Sequence, residues 1–201
     1  MHYSIALQTK EFGFLSITPR KKLLKHTLLR VEEGLALVRL GKHEYALEAG
    51  HSIWLPFDCL TSISYFPQTK VALTEVSSRV SQKMPKQAGY VKLNPLTTAV
   101  VERLASMNAP HEQKLDLYRV LLSELTTLQP VLKLNAPSQR IAQWSPKQET
   151  SELSKEVQLT LRVREARRKL LSGSKKEQVV AELFDGNQAA FEAMYQSICG
   201  E

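Results

Sequence analysis

Leu35-Ala36-Leu37-Val38-Arg39-Leu40, Gly41-Lys42, His43-Glu44-Tyr45-Ala46-Leu47-Glu48, Ala49-Gly50, Ser52-Ile53-Trp54-Leu55-Pro56: this stretch decides the fold. Three short runs rich in aliphatic and aromatic residues are separated by glycine-bearing turns. That is the pattern of antiparallel strands joined by tight connections. Leu28-Leu29-Arg30-Val31 precedes the stretch, and Ile63-Ser64-Tyr65 and Val71-Ala72-Leu73-Thr74-Glu75-Val76 follow it with the same character. Strands recurring about every 10 residues predict a small antiparallel barrel or sandwich over Met1 to Lys83, not a parallel α/β sheet.

After Pro85 the period lengthens. Asn94-Pro95 is a helix start, with Asn as cap and Pro at the first helical position. Leu96, Val100, Leu104 and Met107 then share one stripe. Beyond Ala109-Pro110 a second helix carries Leu115, Tyr118, Leu121, Leu122, Leu125 and Leu128, and Pro130 stops it. Two amphipathic helices on a short connection pack as an antiparallel pair. Their wide apolar face must cover the barrel, another subunit, or both. Residues 131–150, directly after Pro130, hold Pro137 and Pro146 and little periodicity, and are read as a linker.

From Ser151 the chain is helical again. Leu159, Val163, Ala166 and Leu170 form a stripe that ends at Ser172-Gly173. Ser174-Lys175-Lys176-Glu177 has the form of a capping box. Val179, Val180, Leu183 and Phe184 follow at helical spacing. Asp185-Gly186-Asn187 makes a turn, and Phe191, Met194, Tyr195 and Ile198 define a last amphipathic helix. Helix, glycine-bearing turn, helix is helix-turn-helix grammar.

The net charge of +7 favours an anionic partner such as nucleic acid. Ser151 to Glu201 is neutral overall, with eight cations and eight acids, but the charge is segregated. Arg162, Arg164, Arg167, Arg168, Lys169, Lys175 and Lys176 crowd one segment against a single acid, Glu165. The five cations on the helix are expected to point away from its apolar stripe. A basic face of that kind is the footprint of phosphate contact, so these seven residues are the expected DNA-binding set. The chain has two distant cysteines, Cys59 and Cys199, and no CxxC pair, which points to a reducing compartment. Met1 to Gln8 does not read as a signal peptide, and no run approaches the roughly 20 apolar residues of a membrane span. A cytoplasmic location without membrane contact is the expectation. No phosphate loop, Ser-His-Asp grammar or Cys-His pair appears, and Cys59 after Pro56-Phe57-Asp58 reads as a buried structural thiol, so no enzymatic role and no cofactor are expected.

In order along the chain these features resemble an AraC/XylS-type transcription regulator. Arg162 to Gly173 is similar to the helix joining that family's two helix-turn-helix units, and Val179 to Gly200 is similar to the second unit. Phe191 and Tyr195 stand for its aromatics and Gly200 for its closing glycine. Glu33-Gly34 through Leu47-Glu48-Ala49-Gly50 to Trp54-Leu55-Pro56 resembles the family's cupin-like effector domain, and the helices after Asn94 its dimerisation helices. The sequence departs from the family in three places. Only Val131 to Leu161 is left for the first unit, so that unit is shortened or lost. Phe184 stands where the second unit has its turn glycine. The last helix, Gln188 to Ile198, has Glu192 and no Arg or Lys.

The resemblance implies an α+β protein: a cupin-like antiparallel barrel with a packed helical pair over 1–130, a linker over 131–150, and a small all-α helix-turn-helix-like domain over 151–201. It implies a regulator that binds double-stranded DNA, with Gln188 and Gln196 as the remaining base-reading side chains. It implies a small-molecule pocket in the barrel, with Leu37, Trp54, Leu55 and Tyr65 as candidate lining. It also implies a homodimer through Leu115, Tyr118, Leu122 and Leu125. The alternative is a degenerate relative that acts by protein contact without reading DNA sequence. Cupin enzymes hold metal through a His-x-His pair; His43, Glu48 and His51 lack that spacing, so no metal is expected and both histidines are read as surface turn residues.

Overall fold

A computed structural model of the chain describes residues 4–146 and 151–200. Ten strands come first: β1 (Ile5–Phe12), β2 (Ser16–Ile17), β3 (Lys21–Lys22), β4 (Lys25–Glu33), β5 (Leu35–Leu40), β6 (His43–Glu48), β7 (Ser52–Leu55), β8 (Leu60–Tyr65), β9 (Thr69–Ser77) and β10 (Gly89–Val91). Six helices follow: α1 (Pro95–Ser106), α2 (Leu115–Leu125), α3 (Ala136–Gln143), α4 (Lys155–Leu171), α5 (Lys176–Leu183) and α6 (Gln188–Cys199). The strands form two antiparallel sheets, in the orders β1-β9-β4-β7-β10 and β2-β8-β5-β6, with β3 also on β8. The protein is α+β, built on a cupin-like antiparallel barrel with helices packed outside it.

Alternation along the strands sorts the core into three layers. Leu29, Val31, Ala36, Val38, Tyr45, Leu47, Ile53, Leu55, Ile63, Tyr65 and Val71 point inward and fill the space between the sheets. Leu28, Trp54, Ala72 and Val76 point out of the first sheet and meet Val100, Val101 and Leu104 of α1 and Tyr118, Leu121 and Leu125 of α2. Leu37 and Ala46 point out of the second sheet and meet Ile141 of α3, Leu161, Val163 and Ala166 of α4, and Val179, Leu183 and Phe191. Both sheets are therefore packed against helices over part of their outer faces. That is why Leu35–Leu40 and Ser52–Leu55 read as near-continuous apolar runs.

The helical pair thus covers the barrel. Asn94 caps α1, its Oδ1 accepting from the Thr97 amide at 2.7 Å, with Pro95 opening the helix. Gly34 allows the tight β4–β5 turn: its φ is +80°, and a Cβ there would lie 2.7 Å from Thr69 Oγ1.

Three expectations are corrected. Residues 131–150 contain α3, capped by Asn135 and locked to the barrel edge: the Ala46 amide donates to Ser138 Oγ at 2.8 Å. Pro137 lies in the first turn of that helix instead of excluding it; residues 147–150 lie outside the described residues. The Ser174 capping bond is not formed, because α5 starts one residue later with Lys175 at its cap position and no side-chain cap bond. The sheet also extends past Pro85 through β10, whose Tyr90 bridges to Val131.

Candidate effector and nucleic-acid interface

α4, α5 and α6 form a three-helix unit over residues 155–199. Asp185 and Gly186, both at positive φ, make its turn, and Asn187 caps α6 by accepting from the Ala190 amide at 3.0 Å. Phe184 is buried edge-on against Phe191, which in turn contacts Tyr195. Gly186 supplies backbone freedom at φ +78°.

The unit is fastened to the barrel at both ends of the seam. The Leu15 amide donates to the Ile198 carbonyl at 2.7 Å, and Phe14 packs on Gly200 so closely that a Cβ there would lie 2.8 Å from its ring. At the other end Arg164 reaches Glu44 on β6 with two bonds, at 3.0 and 2.8 Å.

That pair corrects the expectation that all five helix cations point away from the core. α4 is packed on the barrel on one side and on α5 and α6 on the other, so its cations are distributed around it. Arg164 faces the barrel. Arg162 donates to the Pro146 carbonyl at 3.4 Å and has a buried Nε without a partner among the described residues. Arg168 pairs with Glu165, which raises the Arg168 pKa through hydrogen bonding and charge. Lys169 pairs with Glu182 at 2.8 Å. Lys176 pairs with Glu192 at 2.8 Å, and Gln188 donates to the same carboxylate at 3.0 Å. These bonds hold Glu192 below the usual carboxylate range. Lys175 and Gln196 are exposed. The structure therefore brings Lys176, Gln188 and Glu192 together, and keeps Arg164 apart from them.

The four residues read as pocket lining do not share a cavity. Leu37 and Trp54 point out of opposite sheets, while Leu55 and Tyr65 point inward, where the space is filled. Burial pushes the Tyr65 pKa up to about 12. Open space lies instead along the seam. A cavity of about 780 Å³ is lined by Phe14, Leu35, Phe66, Val157, Met194 and Ile198, with Gln68, Glu156, Thr160 and Ser197 among its polar groups. A second cleft, of about 840 Å³, lies between the outer face of the second sheet and α4. These residues come from opposite halves of the chain, and no local pattern announces their meeting.

Of the residues expected at a dimer surface, Tyr118 and Leu125 are spent on the barrel, and the Leu7 amide donates to the Tyr118 hydroxyl at 3.1 Å. Leu115 is exposed and Leu122 half-buried. Among the described residues no group of three His, Cys, Asp or Glu side chains is placed to hold a metal ion, and no helix is long and apolar enough to cross a membrane. His43 and His51 are exposed. Cys59 is half-buried, and burial together with the Asp58 charge pushes its thiol pKa up, the reverse of an activated nucleophile.

No protein-family model and no curated protein matches the chain. Among solved structures, the chain is similar to apo ToxT K231A from Vibrio cholerae strain SCE256, at 10% identity and a TM-score of 0.47, covering 100% of this chain and 95% of that one. Wild-type ToxT of the same strain with an unsaturated fatty acid bound gives 10% and 0.45, over 100% and 93%. A cupin superfamily protein from Desulfitobacterium hafniense DCB-2 gives 12% and 0.36, over 39% of this chain and 72% of that one.

Proposed function

We propose that the chain is a DNA-binding transcription regulator of the AraC type that senses a small molecule where its barrel meets its helical unit. One observation carries the reading: the helix-turn-helix-like unit and the barrel share a continuous hydrophobic core, and an apolar cavity opens along their seam. A ligand seated between Phe66 and Met194 touches both halves. Its affinity then depends on how they sit together, which is what coupling between effector and DNA requires. The phosphate grip falls to the cations of α4 and α5. Exposed ion pairs are worth only about 0–1 kcal/mol, so phosphates can draw Arg168 and Lys176 from their carboxylates. Exposed Leu115 and half-buried Leu122 remain for a homodimer contact.

The second reading, protein contact without sequence-specific DNA binding, is favoured by Glu192, which occupies both Lys176 and Gln188 on the surface that would face DNA. Fluorescence anisotropy of duplexes of several sequences separates the two. Reversing Arg167, Arg168 and Lys175 to Glu should weaken binding evenly across sequences, because phosphate contacts carry no sequence information. Unchanged affinity would exclude the phosphate grip, and a wild-type protein that ignores every duplex would leave the second reading.

A further inference from the structure

We infer that the cleft between the second sheet and α4 is a binding site for a phosphorylated small molecule, whose strand-side cations lie outside the proposed DNA grip and whose helix side shares Arg167 and Arg168 with it. Its floor is set by strand register. Arg39 on β5 lies directly between Ser62 of β8 and Glu44 of β6, all on the outer face of the sheet. Lys42, in the β5–β6 turn, stands at the end of that row. Across from it α4 presents Arg164, Arg167 and Arg168. Five cations therefore line about 840 Å³ of concave space against two acids, Glu44 and Glu165. Both acids are already engaged, by Arg164 and Arg168. Arg39 and Lys42 make no ion pair with any described residue.

A cleft with low-dielectric walls and excess positive charge concentrates anions, and guanidinium groups match phosphate oxygens in pairs. Hydroxyls of Ser62 and Ser64 add neutral donors beside them. Two further residues say what the rest of the ligand is. Ile17 is 40% exposed and Leu171 81% exposed, both on the lip of this cleft. Neither belongs to the packing of the fold, and together they offer an apolar rest for an organic body attached to the phosphate. A volume of about 840 Å³ suits a small molecule. An anion here would also sit against Arg164, the residue that ties α4 to the barrel.

The probes are inorganic pyrophosphate and ATP, titrated by isothermal calorimetry into the full chain at low salt. The wild type should bind both, and ATP more tightly because its base and ribose can use Ile17 and Leu171. Arg39→Glu with Lys42→Glu removes the two strand-side cations without touching a helix, and circular dichroism checks that the fold is kept. This double variant should lose about tenfold or more in affinity for both probes, and its duplex affinity should stay within about threefold of wild type, since neither residue belongs to the DNA grip. Equal affinity of variant and wild type for the probes overturns the inference. So does a duplex affinity that falls as far as probe affinity, because the cleft would then be part of a DNA surface. Loss of duplex binding after Lys175→Glu, which lies outside the cleft, bears on the regulator reading alone.

Discussion

Replacing Glu44 by Ala should loosen the barrel from the helical unit. The Arg164–Glu44 contact is bidentate, at 3.0 and 2.8 Å, and its side chains keep only 21% and 29% of their exposure. It is thus neither a free surface pair, worth about 0–1 kcal/mol, nor a fully buried one. Hydrogen bonds to charged groups contribute about 1.5–3 kcal/mol each in favourable settings. Partial exposure scales the bidentate pair down to about 2 kcal/mol in total. Glu44→Ala should therefore lower the unfolding free energy by about 2 kcal/mol, more than removal of an exposed partner would, because Arg164 is left half-desolvated. Urea denaturation of wild type, Glu44→Ala, Arg164→Ala and the double variant measures this directly. The cycle should return a coupling of about 1–2 kcal/mol, shrinking only modestly in salt. A coupling within error of zero would refute the reasoning, since the two groups would then not hold the halves together.

Other outcomes follow from the same structure. Leu37→Ala empties a fully buried position in the core shared by barrel and helices, and should cost about 2–5 kcal/mol; a single urea transition would show the two halves unfolding together, and two transitions would show that they do not. Tyr118→Phe removes the hydroxyl that accepts from the Leu7 amide and should cost about 1 kcal/mol by thermal melting. The His26 ring, whose Nδ1 accepts from the Phe57 amide, has its pKa lowered by burial. The folded state therefore resists protonation that the unfolded chain accepts. Stability from this group is intact above the ordinary value of 6.5 and falls as pH drops below it; urea midpoints from pH 7.5 to 5 should decline more in wild type than in His26→Gln.

Much of the barrel was legible because its turns are explicit. Gly41-Lys42 and Ala49-Gly50 bracket β6 as expected, and the apolar runs mark β4 to β9. What alternation could not say is which face meets which layer. Leu37 and Leu55 look alike in sequence, but one supports the helical unit and the other fills the barrel. That distinction depends on closure of the sheets, and it is why the expected pocket residues did not gather. α3 could have been read: Asn135 two residues before Pro137 repeats the cap grammar of Asn94-Pro95. β10 has only three residues and gains its place by pairing with β7, which no local pattern marks. The basic helix was visible, but its partners were not. Glu44 lies 120 residues from Arg164, and a pairing at that distance is a property of the fold.

The most direct test of the regulator reading is the anisotropy of a labelled mixed-sequence duplex titrated with the protein at two salt concentrations. Each phosphate neutralised by an α4 or α5 cation adds about −0.9 to the slope of log affinity against log salt. Binding that is micromolar or tighter at low salt and collapses as salt rises is the predicted result. No binding at low salt would contradict it and leave a protein that acts through protein contact.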